Sequence, residues 1–291
     1  MTSDRVARTG SLENFDFRIR PAPDGLAEVV ESVWYARGTV PYDSEQISPT
    51  GSTVGVVVLG DPIEFGVGDG PPVTTRSGFL AGPHDRPALN RPLGETFAVG
   101  IVTTAVGCEP VFGVDPASIR GRAVSLETAW PPTGTLRSRL VRLDHPESIL
   151  DTVLTAVRES VGPVDARRRR CAGWVAELAS HPTRPIRDLA DSAELTHAHL
   201  DAEFNRHVGL TPRMLSRILR LRAVIAEIDI EPTGSWTDIA HRYDWFDQAH
   251  FIRDFKRHTG VTPSDYVAAQ RATYERGQAI AGSGVGFVPD T

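Results

Sequence analysis

The chain has 291 residues and a formal net charge of −6, which is enough length for two domains with full cores. Its two cysteines, Cys108 and Cys171, are too few for a disulfide framework. The opening MTSDRVARTG lacks the apolar core of a signal peptide, and no apolar run approaches the length of a membrane span. A cytoplasmic protein without membrane contact is therefore expected.

In chain order, residues 1–10 read as disordered. Leu26–Tyr35 (LAEVVESVWY) fits either a short helix or a strand leading into Trp34-Tyr35. Val54–Leu59 is a buried strand by its β-branched run, and Gly60-Asp61-Pro62 turns the chain. Ile63, Phe65 and Val67 alternate with Glu64 and Gly66 as a second strand, and Phe79-Leu80 and Phe97–Thr103 read as further strands. Gly/Pro punctuation between short strands points to a barrel or sandwich-like sheet. Helical spacing resumes over Leu136–Leu143, and Ile149, Leu150, Val153, Leu154 and Val157 make one apolar helix face. Such a face can be buried in the domain core or against a second protomer. Val161-Gly162-Pro163 ends that helix and marks a domain boundary.

Beyond the boundary the charge changes. Residues 165–276 hold 17 Arg+Lys against 16 Asp+Glu, leaving 14 against 21 in the rest of the chain. They also hold seven of the nine histidines. This part is weakly basic, which suffices where only one face meets a polyanion.

The same part contains one design twice. Thr196–Pro212 reads THAHLDAEFNRHVGLTP and Asp247–Pro263 reads DQAHFIRDFKRHTGVTP, related by a shift of 51 positions. In each, a short helix (around Ile186, Leu189 and Ala190, or Ile239, Ala240 and Tyr243) precedes a second one. The second helix buries Leu200, Phe204 and Val208, or Phe251 and Phe255. Gly209 and Gly260 stand at C′ positions, where positive φ is needed. Ser235 with Asp238 has capping-box spacing, and Thr211-Pro212 and Thr262-Pro263 supply an N-cap and an N1 proline. Two short helices on a tight turn, twice over, predict paired helix-turn-helix units.

These residues resemble the C-terminal DNA-binding domain of AraC/XylS-type transcription regulators. The resemblance covers about residues 167–276 and rests on Phe204 and Phe255, on the ending Thr259-Gly260-Val261-Thr262-Pro263, and on its near-copy Val208-Gly209-Leu210-Thr211-Pro212. It implies a linker helix over Thr211–Ile230 with Leu215, Ile218, Leu221, Ile225 and Ile228 in the core. One departure stands out: the family usually has Gly in each turn, where this chain has Glu194 and Asp244. Asp tolerates a left-handed backbone better than Glu, so an altered first turn is expected. Less specifically, Val33-Trp34-Tyr35, Pro49-Thr50-Gly51 and Phe97-Ala98-Val99-Gly100 resemble the N-terminal domains of such regulators, which sense a small molecule, pair protomers, or both.

The resemblance implies DNA-contacting faces made of His197, Ala198, Asp201, Ala202, Asn205 and Arg206 on the first recognition helix. On the second they are Gln248, Ala249, His250, Arg253, Lys256 and Arg257. Arg253 suits guanine O6/N7 and Gln248 suits adenine; Arg206, Lys256 and Arg257 suit phosphates, which position without specifying. Asp201 and Glu203 put carboxylates on the first helix, so the second should carry more affinity. The run Arg167–Arg170 is more simply a solvated basic turn than a base contact.

Other motifs carry less. His197-Ala198-His199 places its histidines in different directions on a helix, so no metal site is expected. Gly66–Gly70 lacks the Lys-Ser/Thr of a phosphate loop and reads as a hairpin turn. Two cysteines in all cannot supply the several metal-binding cysteines of the DNA-repair methyltransferases that share AraC-type helices, so Gly107-Cys108-Glu109 is not expected to hold a nucleophile, and His84-Asp85 reads as a hydrogen-bonded pair.

The expectation is a transcription regulator with three parts. Residues 1–163 form an α+β sensing or dimerising domain, β-rich with flanking helices. Residues 164–276 form an all-α domain with two helix-turn-helix units, and 277–291 a disordered tail. Expected partners are double-stranded DNA, a small-molecule effector, a second protomer and, for an activator, RNA polymerase; no cofactor is expected. The alternatives are an enzyme with a fused DNA-targeting domain, or an interaction module whose first unit has lost DNA binding.

Overall fold

A computed structural model describes residues 8–12, 15–40, 42–228, 234–275 and 287–289 of the chain. The N-terminal half is built on two antiparallel sheets. One runs in the order β1-β2-β3-β10-β5-β8-β11, from β1 (Arg8–Leu12), β2 (Phe15–Pro21), β3 (Val30–Gly38), β5 (Val54–Val58), β8 (Gly78–Ala81), β10 (Thr96–Thr103) and β11 (Ala123–Ser125). The other runs β12-β4-β9-β6-β7, from β4 (Glu45–Ile47), β6 (Ile63–Val67), β7 (Val73–Thr75), β9 (Ala88–Pro92) and β12 (Phe287–Pro289).

Alternation along each strand decides what faces what. Val33, Tyr35, Val57, Val99 and Ile101 point to a helical layer. Val56, Val58, Phe79, Ala81 and Ala98, one position off, point at the second sheet. The helical layer is α1 (Cys108–Phe112), α2 (Leu126–Ala129), α3 (Thr133–Leu140) and α4 (Pro146–Ser160). On α4, Ile149, Leu150, Val153, Leu154 and Val157 are all buried in this core. The apolar face foreseen over 149–159 is therefore spent inside the domain rather than on a second protomer.

Several boundaries differ from the sequence reading. Leu26–Tyr35 is neither one helix nor one strand: a turn closed by Leu26 and Val30 backbone bonds ends in β3. The helix expected over 136–143 starts and stops three residues earlier, because Trp130, Thr133 and Leu136 anchor its first turn in the core. Residues 8–10, read as disordered, pair with β2, while 1–7 lie outside the described residues. The tail is corrected at one place: Phe287–Pro289 pairs with β4, and Val288 is buried. That isolated apolar triplet has no periodicity, and only a tertiary partner gives it structure. The rest of 277–291 lies outside the described residues.

The C-terminal half is α5 (Ala166–Ser180), α6 (Ile186–Ser192), α7 (His197–His207), α8 (Pro212–Ile228), α9 (Trp236–Arg242), α10 (Gln248–Thr259) and α11 (Pro263–Glu275). It has two cores rather than one. Leu189, Leu200, Phe204, Leu215 and Ile218 fill the first, with Cys171 and Leu178 of α5. Leu221, Ile225, Ile239, Phe251, Phe255 and Tyr266 fill the second. The two ends of α8 thus serve different units, and one continuous helix fixes their separation. Burial of Phe204, Phe251 and Phe255 is complete, and truncating such a side chain to Ala costs about 3–5 kcal/mol.

Candidate DNA interface

Each unit is closed by the same turn. Leu195 N donates to Ala190 O at 3.0 Å and Trp245 N to Ala240 O at 2.8 Å. The residue before each of these donors is left-handed: Glu194 at φ 55° and Asp244 at φ 59°. The altered first turn expected from Glu194 does not occur. The buried residues on both sides, Leu189, Ala190 and Leu200 in the first unit, hold Glu194 in a conformation that costs a non-glycine residue roughly 1–2 kcal/mol. Both second helices are capped: the Thr196 side chain accepts from His199 N at 3.3 Å, and Asp247 from His250 N at 2.6 Å. The capping box foreseen at Ser235 and Asp238 is formed.

Capping and the buried stripe fix which side chains face outward. On α7 these are His197, Ala198, His199, Asp201, Ala202, Asn205 and Arg206; on α10 they are Gln248, Ala249, Arg253, Lys256 and Arg257, with His250 partly covered. Gln248 is held by Thr237, whose hydroxyl donates to its Oε1 at 2.8 Å. His250 Nε2 lies 3.7 Å from Asp254. Among the described residues, Arg206, Arg253 and Lys256 have no ion-pair partner, so their charge is available to a ligand.

The outward residues divide along each helix. The early turns are open, whereas both C-terminal ends rest on the N-terminal half. Asn205 Oδ1 accepts from Arg120, and Arg257 Nη2 lies 2.7 Å from Asp85 Oδ2. His258 Nδ1 donates to the Asp85 carbonyl oxygen at 2.6 Å. Burial pushes the Asp85 carboxyl up, but the Arg257 pair outweighs it and holds the group below the usual range. Gly209 (φ 77°) and Gly260 (φ 85°) end the two helices. Each also lets the N-terminal half approach: a Cβ would strike Pro116 and Pro83 at Gly209, and the Gln46 side chain at Gly260. Asn205 and Arg257, placed by motif position among the DNA contacts, are thus engaged elsewhere in this arrangement. Their place in the last turn, next to Gly209 and Gly260, is the only sequence sign of it.

Three further expectations change. Glu203 is not an exposed carboxylate: it is 5% exposed and paired with Arg167 at 2.7 Å, with His207 Nε2 at 3.6 Å. Of the run Arg167–Arg170, at the start of α5, Arg167, Arg169 and Arg170 are exposed as a solvated basic turn would have them, but Arg168 is not. Arg168 is buried, donates to Val106 O at 2.9 Å and pairs with Glu109, and Arg169 pairs with Glu28 at 2.7 Å. These arginines rivet α5 to the N-terminal half. His84 and Asp85 do not bond each other, since His84 Nδ1 donates to Arg86 O at 2.6 Å.

Both thiols are buried. Burial pushes Cys108 up to about 11 and Cys171 up to about 12, so both are held protonated. No group of three metal-ligating side chains occurs among the described residues, and none of their helices is long and apolar enough to cross a membrane.

The sequence did not reveal a cavity of about 260 Å³ between the two sheets. Its walls are mostly apolar, aliphatic with several aromatic rings, Phe17, Trp34, Phe65 and Phe79 among them, and Glu45, His84 and Asn90 are its conspicuous polar groups. One wall residue, Arg222, belongs to α8. Arg222 Nη1 donates to Thr50 O at 3.2 Å, and its Nη2 lies 3.8 Å from Glu31.

Residues 189–269 match the family model described as a helix-turn-helix domain. No curated protein matches the chain. Among solved structures it is similar to ToxT from Vibrio cholerae, with 13% identity, 88% of this chain and 98% of that one covered, and a TM-score of 0.46. It is also similar to the DNA-binding domain of AdpA in complex with a target DNA (22% identity, 36% and 96% covered, TM-score 0.33). A third is the C-terminal domain of AraT, a response regulator from Geobacillus stearothermophilus (20% identity, 38% and 88% covered, TM-score 0.31).

Proposed function

We propose that this chain, a DNA-binding transcription regulator with an AraC-type helix-turn-helix domain, works in the cytoplasm by placing α7 and α10 in successive major grooves on one face of a duplex. The observation that carries this reading is the shared helix α8, whose two halves are buried in the two separate cores. Two recognition helices held at a fixed separation suit sites one helical turn apart, about 10 bp centre to centre.

The division of labour follows from the exposed charge. Arg253 and Gln248 on α10 address base edges and Lys256 a phosphate. On α7, His197, Ala198, Asp201 and Arg206 face the second groove, with less positive charge and so less affinity. Ala249 and His250 complete the surface of α10 near the groove floor. Asn205 and Arg257 join the DNA surface only after leaving Arg120 and Asp85.

The N-terminal half is the regulatory part in this reading, with a small molecule in the cavity between the sheets as effector. Two wall residues support it: Arg222 is carried on α8, and His84 is the chain neighbour of Asp85, which holds Arg257. A ligand acts on DNA affinity only if it binds one arrangement of the two halves better than the other. Selection of bound duplexes from a random pool by the full-length protein tests the DNA reading. The expected consensus has two non-identical elements about 10 bp apart; a single element, or a palindrome with no such pair inside each half, overturns it.

A further inference from the structure

Resting on the reading of the cavity as an effector site, we propose that it takes a small lipophilic amine, with the ammonium against the Glu45 carboxylate and the apolar body among the aromatic rings. Glu45, Asn90 and Phe65 stand opposite one another on β4, β9 and β6. Three strands at about 4.8 Å spacing put Glu45 and Phe65 roughly 10 Å apart. Phe65 stacks on Phe79 of the facing sheet, with centroids 4.1 Å apart, and Phe17 lies 6.2 Å from Trp34 across the wall. A carboxylate in a mostly apolar space that includes aromatic rings is complementary to a cation on an apolar stem, since ring faces also attract positive charge.

The other polar groups argue the same way. Glu45 accepts one hydrogen bond on each oxygen, from Asn90 Nδ2 at 2.7 Å and from Tyr42 OH at 2.9 Å. Each oxygen keeps a free lone pair. No cation pairs with Glu45 among the described residues. Burial pushes its carboxyl above the usual range, a cost that a bound ammonium would offset. His84, held neutral by burial, donates through Nδ1 to Arg86 O and therefore presents Nε2 as an acceptor. The Ser48 and Thr96 hydroxyls line the cavity, are buried, have no hydrogen-bond partner, and serve an ammonium as acceptors, although as hydroxyls they do not by themselves choose the ligand's charge. The one arginine in the wall, Arg222, already serves Thr50 O and Glu31. A carboxylate ligand would meet Glu45 with no free cation to answer it. At about 260 Å³ the cavity lies near the small end of ligand sites, which are roughly 300–1,000 Å³.

Three probes of nearly equal shape separate the charges: 4-phenylbutylamine, 4-phenylbutanol and 4-phenylbutyrate, titrated by calorimetry into the full-length protein. The expected order of affinity is amine, then alcohol, then carboxylate. Glu45→Gln, close to isosteric, should weaken the amine at least tenfold and leave the alcohol within threefold. Glu45→Asp should recover part of the loss. Thermal melting of each variant without probe verifies folding, and if Glu45→Gln fails to fold, the order of the three probes on the unaltered protein decides. Preference for the carboxylate or the alcohol overturns the amine and leaves the effector-site reading standing. Binding of none of the three overturns the amine as well. Operator affinity of the cavity-filling variant Ala98→Phe reports separately on the effector-site reading, which falls if that affinity is unchanged.

Discussion

Arg253 and Arg257 lie four residues apart on α10 and so share a helix face, yet their surroundings differ, and the proposed DNA interface uses them differently. Arg253 is exposed and has no ion-pair partner among the described residues, whereas Arg257 is 2.7 Å from Asp85. Arg253→Ala should therefore remove a base contact worth roughly 1–3 kcal/mol, or about 5- to 150-fold in affinity, and relax the preference at one base pair. It should leave the melting temperature unchanged, because an exposed, unpaired side chain contributes little to the fold. For Arg257, reaching a phosphate means first leaving Asp85, so the net gain on binding DNA is small. Arg257→Ala should weaken DNA binding by less than about threefold, under ~0.7 kcal/mol. It strips the partner from an Asp85 side chain that is only 20% exposed. Discounted for solvent screening, that loss is about 1 kcal/mol, or a fall of about 2–4 °C in melting temperature. Fluorescence anisotropy on the selected duplex at several salt concentrations, beside thermal melting, reads both effects. Equal loss of DNA affinity in the two variants, with both melting like the unaltered protein, would refute the assignment of Arg257 to the N-terminal half.

Other outcomes follow from single features. Glu194→Gly should raise stability by about 0.5–1 kcal/mol, the relief of a left-handed side chain less the added backbone entropy; an unchanged or lower midpoint in urea denaturation would show that the turn carries no strain. Asp201→Ala should cost less DNA affinity than Arg253→Ala, and strengthen binding to random duplex, since it removes a negative charge from the exposed face of α7; anisotropy on specific and random duplexes distinguishes the two. Burial lowers the imidazole pKa of both His207 and His258 from the ordinary value of 6.5. The unfolded chain then binds more protons below that pH, so stability is full above about pH 6.5 and declines as pH falls toward the lowered values. Denaturation midpoints between pH 7.5 and 5.5 should fall, and less steeply in His207→Gln/His258→Gln; equal slopes would remove these histidines from the account.

The helical half was legible in the sequence because its information is local. The buried spacing of Leu200 with Phe204 and the C′ glycines 209 and 260 act within a few residues and are stated twice by the repeat, while the capping box of Ser235 and Asp238 is equally local but belongs to the second unit alone. What escaped is carried by partners distant in sequence. Glu203 is neutralised by Arg167, 36 residues before it, and Arg257 by Asp85, 172 residues before it. Neither pairing leaves a mark on the helix that bears it. The strands were found by a β-branched run at Val54–Leu59 and by alternation at Ile63, Phe65 and Val67, but alternation says only that these side chains share one face. Whether the facing sheets close on each other or leave a space depends on their separation, which no single strand encodes. Glu45 sits on a three-residue strand too short to show any pattern, so the most unusual polar group of the cavity was invisible. Glu194 shows the reverse error. Local preference argued for an altered turn, and burial of Leu189, Ala190 and Leu200 overruled it.

The central claim is that α7 and α10 bind one DNA face together, held apart by α8. The direct measurement is affinity for the selected site before and after five base pairs are inserted between its two elements, compared with a ten-base-pair insertion. Five base pairs turn one element about half a helical turn to the opposite face. The account predicts that the five-base-pair insertion reduces affinity to that of one element alone. The ten-base-pair insertion restores the face but exceeds the reach of a rigid α8, so it too should bind as one element. Unchanged affinity after the five-base-pair insertion would contradict the two-groove account.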